Sequence, residues 1–403
     1  MRPQVDSARP GGPVTSCATH QIHTTSLRAR DLIKENVMHA TTVALLLAAT
    51  ACVPDAPRST TTTTTDPKCA STQTVTRDLT VDSGTMTDPV PTGCWTLAGK
   101  LTIRGTGVTS LAMLGDVRGA DEIVLDNTKL TTLDTKATLS VSGPITITRN
   151  ALLTNIDKLR AGTTATLVSV DGNPVLSSLG SAFDDLTQVS STITIRNNPK
   201  LATVDLPKLE LVGDSQIGQA FLITNNAALT DIELPAFTYP NRLEISSNPV
   251  LAMIGDIPAT QIVSDLVIRN NPQLATLPAF PSLAKVGGVL TVSNNATLTS
   301  LGELSAVTYL GGLTLDSNPL LTSVGGLSQS LAVQIYALSI TNNAALTDLG
   351  RLAHEVYNSI SITSNAQLSS CKAREVDVCT NHSVQSSISG NHTQNNCQSW
   401  CGR

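Results

Sequence analysis

Residues 145–156 read ITITRNALLTNI, and the same frame returns as ITIRNNPKLATV at 193–204 and LTLDSNPLLTSV at 313–324. Apolar residues stand three before, three after and six after a central asparagine. They are Ile147, Leu153 and Ile156 around Asn150, Val170, Leu176 and Leu179 around Asn173, and Ile195, Leu201 and Val204 around Asn198. Outward from these stretches, asparagine recurs at Asn127, Asn150, Asn173, Asn198, Asn226, Asn248, Asn271, Asn295, Asn318, Asn343, Asn365 and Asn391, with eleven gaps averaging 24 residues. A period in that range marks a solenoid, in which each repeat buries its apolar face only against its neighbours.

Before each asparagine lies a short alternating segment such as TITI, LEIS or LTLD, the period of a half-buried strand. One strand per turn predicts a mainly β fold, a single elongated right-handed β-solenoid of about 12–13 rungs of ~24 residues each. The count includes a degenerate rung at Thr106, and at ~4.8 Å per strand the rod is on the order of 60 Å long. The twelve asparagines are expected to face inward as a ladder, because an amide carries two donors and an acceptor and can satisfy the backbone where the chain leaves the sheet. Proline follows at Pro174, Pro199, Pro249, Pro272 and Pro319. There it sets φ and removes a donor at the turn. Leu, Ile and Val fill the interior, so that a chain 40% hydrophobic is only 2% aromatic, and a narrow core is expected to do without rings. Helix signals are weak.

The LxIxxNxxLxxL repeats resemble the receptor L-domain family, leucine-rich-repeat-like solenoids found in receptor ectodomains, yeast wall proteins and bacterial surface lipoproteins. The segment from Cys69 to Gly107 is similar to the N-terminal cap of the bacterial type, and the resemblance runs from about Cys69 to Cys401. It speaks for fold more than for activity, since one architecture hosts many binding tasks.

Residues 38–52, MHATTVALLLAATAC, resemble a bacterial lipobox with Ala49, Thr50 and Ala51 before Cys52. The expected organisation is a leader at 1–51, a lipidated Cys52 opening a Pro/Thr tether at 52–68, an N-terminal cap at 69–100, the solenoid at 101–370 and a Cys-rich cap at 371–403. The rival reading of the leader is an ordinary signal peptide. Arg28, Arg30 and Lys34 form a charged n-region, or else translation starts later than Met1. The apolar run is too short to span a bilayer. Lipidation places the chain in a bacterial cell envelope, at the outer membrane or cell surface, touching membrane only through its anchor. Six further cysteines flank the repeats, as disulfides stapling the ends would require. Cys69 is expected to pair with Cys94. Of three C-terminal pairings, Cys371 with Cys397 and Cys379 with Cys401 is favoured, and a zinc site using these four with His382 and His392 is the rival.

No catalytic motif is found, and neither a cofactor nor a metal is expected. The sequons at Asn295, Asn381 and Asn391 fall mainly on ladder positions and are expected to be unused. With net charge −5 and no basic stripe, nucleic acid is an unsuitable partner. The outward sheet face is the expected binding surface. Its strand pairs are Thr102 and Arg104, Thr146 and Thr148, Ser169 and Asp171, Thr194 and Arg196, Leu222 and Thr224, and Glu244 and Ser246. Val267 and Arg269, Thr291 and Ser293, Thr314 and Asp316, Ser339 and Thr341, and Ser361 and Thr363 complete the series. Thr148, Arg196, Glu244, Arg269 and Asp316 are its candidate contact residues. Paired threonines suggest ice binding, but the charged and apolar interruptions break any lattice. The expected function is a non-enzymatic, monomeric binding or adhesion module for a surface protein or polysaccharide, with a passive envelope spacer as the alternative.

Overall fold

The computed structural model describes residues 69, 71–86, 88–213, 219–327, 333–350, 352, 356–379, 384–393 and 397. The expected leader, the tether with Cys52, and Cys401, Asn381 and His382 lie outside them. All described residues belong to one unit, Thr64–Arg403. It is a β-solenoid of about 13 turns.

Alternation sets the sheet. Ile145–Thr148, Val168–Asp171, Ile193–Arg196 and Phe221–Thr224 pair in parallel, so that Ile147, Val170, Ile195 and Ile223 stack in one column. Their side chains are buried, while Thr146, Ser169, Thr194 and Leu222 face outward. A slip of one residue would exchange the two faces, so the column of β-branched and Leu residues pins the register. The sheet runs past both expected solenoid limits. Leu79–Asp82 already pairs with Leu101–Arg104, and Gln385–Ser389 pairs with Ser359–Thr363. The first of these strands keeps the alternation but lacks the asparagine, and the second has one apolar residue, Ile388.

Each end is closed by a different device. Trp95 is fully buried, and its indole N–H donates to the Leu114 carbonyl at 2.9 Å. At the other end the helix Ser370–Cys379 packs against Gln385–Ser389, burying Ala373, Val376 and Cys379. Cys69–Cys94 and Cys371–Cys397 are disulfides, and Cys379 is disulfide-bonded too. The zinc alternative is thereby overturned, because these sulfurs are not free thiolates. Rings also enter the core, contrary to expectation. Phe221 and Phe237 meet edge to face at 5.6 Å, and Phe280 and Phe183 are buried as well.

The asparagine ladder is continuous from Asn150 to Asn391. The Asn150 amide nitrogen donates to the Leu125 carbonyl and to Asn173 Oδ1, both at 3.0 Å, while its own oxygen accepts the Thr128 N–H and hydroxyl. The same pattern repeats at Asn173, Asn198, Asn226 and Asn248. The amides from Asn150 to Asn365 are fully buried, so every donor and acceptor needs its partner.

Asn127 does not belong to the ladder. It is exposed, with φ of 53°, and Thr128 occupies the inward position. Asn127 instead joins a second column, of left-handed residues that turn the chain just before each ladder side chain. That column includes Arg149, Asn197, Asn225, Ser247, Asn270, Asn294, Ser317, Asn342 and Ser364, all with φ between 56° and 59°. Gly172 and Gly390 stand at the same place. Left-handed backbone is most accessible to Gly and Asn, which accounts for the frequent Asn-Asn doublets.

Candidate functional site

The front face carries the charges foreseen for it, but they bind one another. Arg196 is paired with Asp171 at 2.9 Å, and Asn197 donates to the same carboxylate at 2.8 Å. Asp126 receives Thr148 Oγ1 at 2.6 Å and a fork from Arg149. Asp316 receives Thr341, Asn342 at 2.9 Å and Ser317 at 3.1 Å. In each case a carboxylate closing one strand is held by the closing residue of the next strand and by its left-handed neighbour. The contacts of Arg149 and Thr148 draw the Asp126 carboxyl below the usual range. Burial pushes Asp316 up, but the bonds from Thr341, Asn342 and Ser317 outweigh it and hold the carboxyl low.

Glu244, foreseen as an outward contact residue, is only 8% exposed. Arg242 at 2.7 Å, Arg269 at 3.0 Å and Ser246 at 2.9 Å enclose its carboxylate. Burial opposes ionisation here, and the three donors overcome it, leaving the pKa lowered. Ser246, Val267 and Ser293 around it are buried too. Of the five candidate contact residues, Thr148, Arg196, Glu244, Arg269 and Asp316, all serve rung-to-rung bonds.

A second surface lies on the flank, where each turn approaches the front sheet. Thr164–Ala165, Gln188–Val189, Leu211–Val212 and Tyr239–Pro240 form a parallel sheet. The column continues through Gln261, Lys285, Tyr309 and Gln334. Inward residues Val189, Val212, Ile262, Val286 and Leu310 hold it to the core. The outward positions on either side form a groove. Two adjoining cavities open there, of about 280 Å³ between Thr96 and Gly162 and about 400 Å³ between Ser142 and Gly213, and both touch Ser142.

Beyond the larger cavity the flank turns aromatic. Tyr239 is 52% exposed, Tyr336 55% and Tyr357 38%, and Tyr309 lies under the Lys285 ammonium at 5.1 Å. These are the chain's four tyrosines. All four phenylalanines are buried. Sequence reasoning missed this surface because it followed only the asparagine frame.

Two other groups of polar residues bear on chemistry. Glu233 is raised by burial, then by the neighbouring charges of Asp231, Asp205 and Asp256. Among the described residues, however, the one His/Cys/Asp/Glu group tight enough for a metal is Cys69, Cys94 and Asp116, whose sulfurs form a disulfide. Of the sequons, Asn295 is fully buried, and the Asn391 amide donates to the Ile362 carbonyl at 2.8 Å, so neither offers a free acceptor nitrogen. Compared with family models, curated proteins and solved structures, the chain matches none.

Proposed function

We propose that this chain is a non-enzymatic lipoprotein of receptor L-domain type at a bacterial cell surface, whose solenoid is a binding or adhesion module for an envelope or extracellular protein or glycan. The gathering of four tyrosines, three of them well exposed, on one grooved flank carries this reading. Exposed aromatic rings gathered on one face, with two cavities on the same face, are the kind of surface that marks a binding site. His392 is the one described histidine, and it lines neither cavity. Two measurements test the proposal. Cys52→Ser should move the protein from the membrane fraction to the soluble fraction, and unchanged partitioning would remove the anchor. Photo-crosslinkers on intact cells should capture a partner from Val263 and Gln334 on the flank and not from Thr194 on the front. Capture from neither place would overturn the module.

The alternative, a passive spacer, has its own support in the front face, where charges are consumed in joining rung to rung. It predicts that no crosslinker position captures anything.

A further inference from the structure

We propose that the tyrosine end of the flank groove holds an extended, uncharged polysaccharide, its sugar rings lying against Tyr239, Tyr309, Tyr336 and Tyr357. The inference rests on the binding reading above and gives it a ligand class and a place. Three observations support it.

The first is how the aromatics are sorted. Every phenylalanine is inside and every tyrosine is on this flank, so the exposed rings are those with a polar edge. A ring that is apolar on its face and polar at its rim suits a pyranose, which has the same two-sided character. The rings also run along the solenoid axis. Tyr239 and Tyr309 stand three rungs apart in one column, about 14 Å at ordinary strand spacing, and Tyr336 and Tyr357 occupy neighbouring rungs through the Ile335–Val356 pairing. This is the layout for a linear ligand lying along the axis.

The second is charge. Between Tyr239 and Tyr357, the described outward residues of the two flank columns include one charged side chain, Lys285, and its ammonium is over the Tyr309 ring. The polar groups interspersed with the rings are neutral amides, the exposed Gln261 and Gln334. The front face of the same rungs has the ionic network of Arg242, Glu244 and Arg269. With no carboxylate and no cation cluster among its described outward residues between Tyr239 and Tyr357, this end of the flank offers little to a phosphate or a basic peptide, and complements a neutral polymer.

The third is shape. Gly287 and Gly311 stand in the flank column between Val263 and Tyr336. A Cβ at Gly287 would collide with the Val263 carbonyl and one at Gly311 with the Gly287 carbonyl, so these two places admit no side chain and the surface there is bare backbone. On the same flank lies the cavity lined by Thr164, Thr166, Gln188 and Ser190, whose groups can hydrogen-bond to hydroxyls. The flank strands already pair on both sides with neighbouring rungs. A peptide therefore finds no free strand edge to extend.

The test is affinity electrophoresis of the full-length protein through gels containing hydroxyethylcellulose, galactomannan or mixed-linkage β-glucan, with polygalacturonate as the anionic comparison. At least one neutral polymer should retard the wild type, with no dependence on salt. Tyr336→Ala should weaken that retardation by about tenfold, and Tyr336→Phe should keep it within about twofold, because the ring and not the hydroxyl makes the contact. Arg196→Ala on the front should bind as wild type. Thermal melting of each variant verifies that it is folded, and Tyr239→Ala serves as an independent second site. No retardation by any neutral polymer, retardation only by polygalacturonate, or full binding by both alanine variants would each overturn the proposal. Protein capture by the flank crosslinkers without any polysaccharide binding would preserve the module and refute its glycan ligand.

Discussion

The front sheet and the flank are two faces of the same rungs, and their side chains are used in opposite ways. On the front, Asp126, Asp171 and Asp316 each bind groups of the next rung, and Glu244 is enclosed by two arginines. On the flank, Tyr239 and Tyr336 stand in water. Repetition allows both. In a parallel stack a residue at a fixed place meets its equivalent one strand spacing away, so complementary types at that place bond the rungs together. Positions filled by types with no such partner are left for other work. In a solenoid, then, the most charged face need not be the binding face.

The strongest challenge to this contrast is to the interior on which both faces rest. Asn248→Ala should destabilise by about 3 kcal/mol. It removes the acceptor of the Asn226 N–H, one of the two acceptors of the Asn226 amide and the side-chain donor to the Ile223 carbonyl. Asn127→Gly should stay within about 0.5 kcal/mol, because that side chain is outside the ladder and glycine accepts its left-handed φ. Chemical denaturation of the two variants compares them directly. Next in size is Gly287→Ala on the flank, where the added carbon collides with the Val263 carbonyl; a loss of about 2 kcal/mol is expected in the same assay.

Acid weakens the carboxylate bonds of the front. Asp126, Asp316 and Glu244 are held below their ordinary values of 3.8, 3.8 and 4.5. Their contribution to stability is present above those values and is lost as pH falls through the lowered ones. Glu233 works in the other direction. Burial first, and then Asp231, Asp205 and Asp256, raise it above 4.5, so its ionised form is a penalty that acidification relieves. Melting temperature should therefore fall below pH 3.8 in the wild type and fall less in Asp126→Asn/Asp316→Asn. Glu233→Gln should melt higher at neutral pH and lose that advantage in acid.

Smaller still is Arg196→Ala, an exposed pair worth about 0–1 kcal/mol, weakened further by salt. At the bottom of the scale, Tyr336→Ser should change stability by less than about 0.5 kcal/mol. A larger loss would show that the flank tyrosines are structural, and would erase the distinction between the two faces.

Much of the fold was legible in the sequence because its information is local. Ile147, Asn150, Leu153 and Ile156 lie within ten residues, and the same spacing recurs in each rung. Asn127 was misplaced because asparagine suits two adjacent positions, the buried ladder and the left-handed turn, and composition alone does not separate them. The flank was illegible for a different reason. Tyr309 stands nine residues before its ladder asparagine, Lys285 ten and Tyr336 seven. Bulges at Val286–Val289 and between Ile335 and Ala337 shift the count from rung to rung.

The sequence by itself determined the repeat, the inward column and the ladder chemistry, because hydrophobic periodicity and amide bonding act over one turn of chain. Only the tertiary structure decided which outward side chains are consumed and which are exposed. Residues such as Glu244 and Arg269, or Tyr239 and Tyr309, become neighbours through the stacking of rungs, and that stacking absorbs insertions which a linear count cannot follow.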